Sequence, residues 1–152
     1  MFSKLLSLYN KNSKKTPLED FTTEIFVGVL NNDNELKIRF CKDFLDLKSS
    51  NYIISTQKHY YLENEPKCIV DVVIESDKEI CFIENKVNSK EGYNQLKRYS
   101  KVLNNLKTEK KKKTKLCYCT EKMKTKIFKN ITFINLNGIT LLLFLIKTLI
   151  KN

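Results

Sequence analysis

Between residues 52 and 87 the sequence passes three times through a short run rich in β-branched and aromatic residues, at 52–61, 68–75 and 79–87, each bounded by polar or proline-containing segments. Runs of this length and composition read as strands, and strands joined by such short links pair as an antiparallel meander. On both sides the apolar residues recur at helical spacing instead. Upstream, Pro17 follows a cap candidate, Thr16, and Leu18, Phe21, Ile25, Phe26, Val29 and Leu30 predict a helix ending near Asn31, with its apolar face centred near Leu18, Thr22 and Val29. A second helical pattern covers 35–47 through Leu36, Phe40, Phe44 and Leu47. Downstream, Tyr93, Leu96, Tyr99, Val102, Leu103 and Leu106 predict a helix over 91–106. A lysine-rich loop over 107–115, a strand at 116–120, a short polar helix, a strand at 131–136 and a last helix from about 139 follow. Helices on either side of such strands describe an α/β sandwich around a mixed sheet. At 152 residues, one domain spanning 1–152 accounts for the whole chain.

Twenty-eight basic against seventeen acidic residues give +11, a field that attracts polyanions. Only Arg39 and Arg98 are arginines, and the abundance of Lys, Asn and Ile fits a compositional bias, so bulk charge alone does not choose a partner. Five cysteines and the single His59 show no zinc spacing, which predicts buried, reduced thiols in an intracellular, cytoplasmic protein. Cys117 and Cys119 are expected on one face of a strand. The apolar stretch 139–146 is well short of the roughly 18–20 residues that span a bilayer, and no membrane partner is expected.

Charges sit where strands should be apolar. Asp71 interrupts Cys-Ile-Val-Asp-Val-Val-Ile, and Glu84 and Lys86 close Ile-Cys-Phe-Ile-Glu-Asn-Lys-Val. Such charges are costly unless paired or bound to metal. A hairpin about Asp77-Lys78 opposes residues whose numbers sum to 155, bringing Asp71 beside Glu84 with Lys86 on the same face as Glu84. Two carboxylates so placed repel unless a cation lies between them. Oxygen ligands with open positions suit Mg²⁺ or Mn²⁺, and a neighbouring lysine can orient or deprotonate water and offset charge on a phosphoryl group. The plainer alternative is an ion pair of Lys86 with Asp71 or Glu84 at a wet sheet end.

Asp71 followed after twelve residues by Glu84-Asn85-Lys86 resembles the PD-(D/E)XK nuclease superfamily, whose restriction-endonuclease-like α/β sandwich has the element order read above. The resemblance implies that Asp71, Glu84 and the backbone carbonyl of Asn85 bind the metal while Lys86 assists the attacking water. Gln95 and Tyr99 resemble the Q-x-x-x-Y element found after the lysine in several branches. The segment 17–24 is similar to the family's acidic first helix, where a Glu often points at the metal; helical phase favours Glu19 over Glu24. Val70 stands where the name-giving proline would be.

These readings predict a divalent-metal-dependent nuclease hydrolysing phosphodiester bonds of nucleic acid, DNA being expected ahead of RNA as the substrate. Lys97, Arg98 and Tyr99 on the helix and the run Lys110, Lys111, Lys112 and Lys113 are candidate nucleic-acid contacts. The rival is a non-catalytic nucleic-acid-binding or assembly module on the same fold. The last helix, apolar around its circumference, is a candidate homodimer surface.

Overall fold

The computed structural model describes residues 18–86, 92–120 and 132–136, with the backbone alone for 18, 19, 120 and 132–136. The expected polar helix after residue 120, the helix from 139 and its dimer surface, and the amphipathic N-terminus lie outside the described residues. Helix α1 (Leu18–Asn32) is followed by α2 (Asn34–Arg39), which widens into a π-type turn over Phe40–Phe44. Asp33 caps α2 by accepting the Leu36 N–H at 2.9 Å. Strands β1 (Ile53–Tyr60), β2 (Cys68–Glu75) and β3 (Glu79–Lys86) come next, then α3 (Gln95–Lys110), β4 (Lys113–Thr120) and β5 (Thr132–Leu136).

The sheet runs β1-β2-β3-β4-β5. β1, β2 and β3 form the antiparallel meander, whereas β4 and β5 run parallel to β3 and to one another. The parallel step from β3 to β4 needs a long crossover, and α3 supplies it. The β2–β3 register pairs Val72 with Ile83 and Val73 with Phe82, the sum of 155 expected from the turn at Asp77-Lys78.

Two apolar layers cover the sheet, as strands with few polar residues require. On one face Val27, Leu30, Leu36, Phe40 and Leu45 pack on Ile54, Val72, Ile74, Cys81, Ile83, Cys117 and Cys119. On the other, Leu96, Tyr99, Val102, Leu103 and Leu106 of α3 pack on Val70, Val73, Ile80, Phe82, Leu116 and Tyr118. Burying each large apolar side chain contributes roughly 1.5–3 kcal/mol. All five cysteines are buried and free of disulfides, and Cys117 and Cys119 share a face as expected. Burial pushes the Cys41 thiol up to about 12 and Cys119 up to about 11, so neither offers a thiolate nucleophile near neutral pH.

Three expectations change. The inward face of α1 is built from Thr23, Val27 and Leu30, while Ile25 and Val29 are 40% and 44% exposed. The helix is turned by about a third of a turn from the orientation its apolar residues suggested, because a polar contact at Thr23, described below, holds that face against the sheet. Tyr93 precedes α3 and is 88% exposed, so it does not belong to the buried stripe. The lysine-rich loop is a tight junction. α3 runs to Lys110, Lys111 turns the chain at φ 50° and β4 starts at Lys113. Lys112 Nζ sits 2.6 Å from both Glu75 Oε1 and the Ser76 carbonyl, and the Lys113 N–H donates to the Lys78 carbonyl at 2.8 Å.

Glu79, at the start of β3, is buried and accepts the backbone N–H groups of Lys48 and Ser49 at 2.7 and 2.8 Å. It ties the segment entering β1 to the turn end of the hairpin, away from the charges considered next.

Candidate active site

Asp71 lies at a fault in the sheet. β1 and β2 pair continuously from Ile53↔Glu75 to Tyr60↔Cys68 except between Gln57 and Asp71, and Gln57 takes φ 52°. The left-handed conformation is costly for a residue with a Cβ and is seldom found inside a strand. Its effect is to reverse the alternation of side chains. Val72 and Ile74 face the α1 layer, but Val70 and Cys68 face the α3 layer. Asp71 falls where the strand changes face, half-buried, and its Oδ2 accepts the Asn85 N–H at 2.9 Å.

Glu84 is fully buried on the α3 side of β3. Its Oε2 meets the Tyr99 hydroxyl at 2.8 Å, and its Oε1 lies 2.8 Å from Lys86 Nζ. Apart from that ion pair, Oε1 takes no directed hydrogen bond among the described residues despite its burial. Burial first, and the Asp71 charge second, push the Glu84 carboxyl up to about 7, against the opposing pull of Lys86 and Tyr99. The carboxyl is thus partly protonated near neutral pH in the absence of a further cation.

Tyr99 joins α3 to both strands. It accepts from Gln95 Nε2 at 2.9 Å, and its hydroxyl also contacts the Ile69 carbonyl. Burial and the adjacent Glu84 push the phenol well above its ordinary value, so it acts as a donor and not as an anion. On the opposite face, Asn85 Nδ2 donates to Thr23 Oγ1 at 3.1 Å, which brings α1 against the site and accounts for the rotation of that helix. Glu19 precedes Thr23 by one helical turn. Glu24 is half-buried on the same helix.

The structure therefore gathers Asp71, Glu84, Asn85, Lys86, Gln95 and Tyr99 at the C-terminal end of β3. Lys97 and Arg98 lie on the first turn of α3 and line a cavity with Glu65, Tyr93 and Lys101. It does not gather Lys110, Lys111, Lys112 and Lys113. Lys113 pairs with Glu79 at the other end of β3, about 23 Å from Lys86 at roughly 3.3 Å per residue. Thr23 and Gln57 were not legible as site-forming residues. A threonine inside a helical stripe and a glutamine inside a strand carry no sequence signal for the Asn85 contact or the positive φ.

Two close carboxylates, one with a buried oxygen lacking a directed hydrogen bond, form a donor set that fits a hard divalent cation. Glu84, Asp71 and the Asn85 carbonyl would hold it. Among the described residues no group of three His, Cys, Asp or Glu side chains is placed to hold a metal ion by itself. No helix among the described residues is long and apolar enough to cross a membrane. A family model described as PD-(D/E)XK nuclease superfamily matches residues 5–130. Among curated proteins none matches the chain.

Proposed function

The chain belongs to the PD-(D/E)XK nuclease superfamily, and from that premise we propose that it is a Mg²⁺- or Mn²⁺-dependent nuclease hydrolysing phosphodiester bonds of nucleic acid, DNA in preference to RNA. The observation that carries this reading is Glu84, a fully buried carboxyl beside Asp71 whose Oε1 is ion-paired with Lys86 and takes no directed hydrogen bond among the described residues. A bound divalent ion would polarise the phosphoryl oxygen and acidify a water. Asp71 and Glu84 supply the negative charge that selects the cation, and Asn85 presents its carbonyl between them. Glu19, one turn ahead of Thr23, is proposed as a further acid of the site.

Lys86 Nζ lies 2.8 Å from Glu84 Oε1, and its side chain is 14% exposed. There it sets a positive charge beside the reacting phosphate, orients the attacking water and offsets charge developing on the phosphoryl oxygens. Tyr99 and Gln95 hold the Glu84 carboxylate in place. A basic surface contributes sequence-independent grip on the backbone.

Incubation with plasmid, linear duplex, single strands and RNA in Mg²⁺, Mn²⁺ or EDTA tests the proposal. Cleavage that requires the metal and disappears in Asp71→Ala and Glu84→Ala, both still folded, supports it. Full cleavage in EDTA or by either variant refutes it.

A further inference from the structure

The turn leading into α3 is a rigid mount for one exposed ring. The Gln95 N–H donates to the Gly92 carbonyl at 3.0 Å, and the Gly92 N–H donates to Gln95 Oε1 at 3.2 Å. The Arg98 N–H donates to the Asn94 carbonyl at 3.0 Å, and Arg98 Nη1 donates to the Tyr93 carbonyl at 2.6 Å. These bonds fix the backbone on both sides of Tyr93, yet its side chain is 88% exposed. A large aromatic held in water by an ordered turn contributes nothing to the core, and a ring so displayed is a ready stacking surface.

Beside it opens a cavity of about 200 Å³, lined by Pro66, Tyr93 and Asn94 and by the charged residues Glu65, Lys97, Arg98 and Lys101. The volume lies below the roughly 300–1,000 Å³ that encloses a drug-sized ligand, so the cavity suits a single base. Its charge is positive. Glu65 is already paired with Lys101, leaving Lys97 and Arg98. Lys97 is exposed with no partner among the described residues, and Arg98 Nε is buried without an acceptor.

The mount is also wired to the carboxylates. Gln95, which holds the turn through Oε1, donates through Nε2 to the Tyr99 hydroxyl, and that hydroxyl reaches Glu84. One amide therefore sets the position of the exposed ring relative to the acid.

We propose that this cavity takes an unpaired nucleotide of the substrate, its base stacked on Tyr93 and its phosphate held by Lys97. The protein then acts on nucleic acid that carries a single-stranded segment next to the scissile bond. The choice of nucleic acid rests on the nuclease reading; the preference for an unpaired base rests on the cavity, because the base faces of a duplex are covered by their neighbours and only a splayed base can stack on a side chain.

Fluorescence anisotropy in EDTA, where no metal-dependent cleavage occurs, tests this with a single-stranded oligonucleotide, a blunt duplex of the same sequence and a duplex with a single-stranded overhang. The single strand and the overhang should bind more tightly than the blunt duplex. Tyr93→Ala should weaken single-strand binding at least about fivefold while leaving the blunt duplex unchanged, and Tyr93→Phe should retain it. Lys97→Ala should weaken binding and flatten the salt slope by roughly one phosphate contact. Both side chains are exposed, so neither variant threatens the fold.

Binding that Tyr93→Ala leaves unchanged, or weakens equally on single strand and duplex, overturns the proposal. Metal-dependent cleavage by a protein whose binding ignores Tyr93 removes the cavity and keeps the nuclease. Tyr93-dependent single-strand binding with no cleavage of any substrate in Mg²⁺ or Mn²⁺ keeps the cavity and removes the nuclease.

Discussion

Replacing Glu84 by Gln should stabilise the metal-free protein, and increasingly so as pH rises. In the unfolded chain the Glu84 carboxyl ionises around 4.5, whereas in the folded chain burial and the Asp71 charge hold the proton on up to about 7. The folded state is then the better proton binder across that window, so stability is highest below about pH 4.5, falls as pH rises towards 7, and levels off above it. At about 1.36 kcal/mol per pKa unit, the full difference is about 3 kcal/mol, of which about 2.5 kcal/mol develops between pH 5 and pH 8. A glutamine cannot ionise. It can accept the Tyr99 hydroxyl, and the attraction of Lys86 that it forgoes is already contained in the Glu84 value of about 7. The gap in stability between Glu84→Gln and the unaltered protein, followed by thermal or urea unfolding in EDTA, should therefore move by about 2–3 kcal/mol in favour of the variant from pH 5 to pH 8. For a chain of this size that corresponds to roughly 5–10 °C in relative Tm. Saturating Mg²⁺ or Mn²⁺ should stabilise the unaltered protein at pH 8 and leave Glu84→Gln behind. A gap that stays constant with pH, or that moves the other way, would refute the claim that the buried carboxyl is held protonated.

Lys86→Met should leave metal binding intact, measured by calorimetry, while turnover falls by roughly 10²-fold or more; normal cleavage would make this lysine structural. Glu19→Gln should impair metal-dependent cleavage and Glu24→Gln should do little, with the reverse result assigning the acid of α1 to Glu24. Tyr99→Phe removes a hydroxyl that draws the Glu84 carboxyl downward, so the acidic limb of the pH–rate profile should shift to higher pH, and an unmoved limb would sever Tyr99 from the site. Glu79→Ala orphans the amides of Lys48 and Ser49 and should cost about 2–4 kcal/mol in urea unfolding without altering metal affinity; a neutral effect would mean that water replaces the carboxylate there.

Local pattern carried much of this protein. Three β-rich runs between helical stripes determined the meander and its flanking helices, and the short turn at Asp77-Lys78 determined the β2–β3 register, whose last pair, Val72 with Ile83, lies next to Asp71 and Glu84. Those features depend on neighbours in the chain and on strand periodicity, which a sequence displays directly. The rest arose from contacts between residues far apart. Apolar spacing alone oriented α1 towards Ile25 and Val29, but a hydrogen bond from Asn85, sixty-two residues away, turns Thr23 inward. The lysine-rich segment 107–115 reads as a loop from its composition, whereas α3 continues to Lys110 and Glu75 holds Lys112 across the junction. Asp71 reaches Asn85 because Gln57, on a different strand, adopts a left-handed backbone and breaks the alternation that a regular strand would have kept. Periodicity assigns a residue to a face, whereas the position of a charge within a site depends on which distant donor or strand fault meets it, and only the folded chain brings those together.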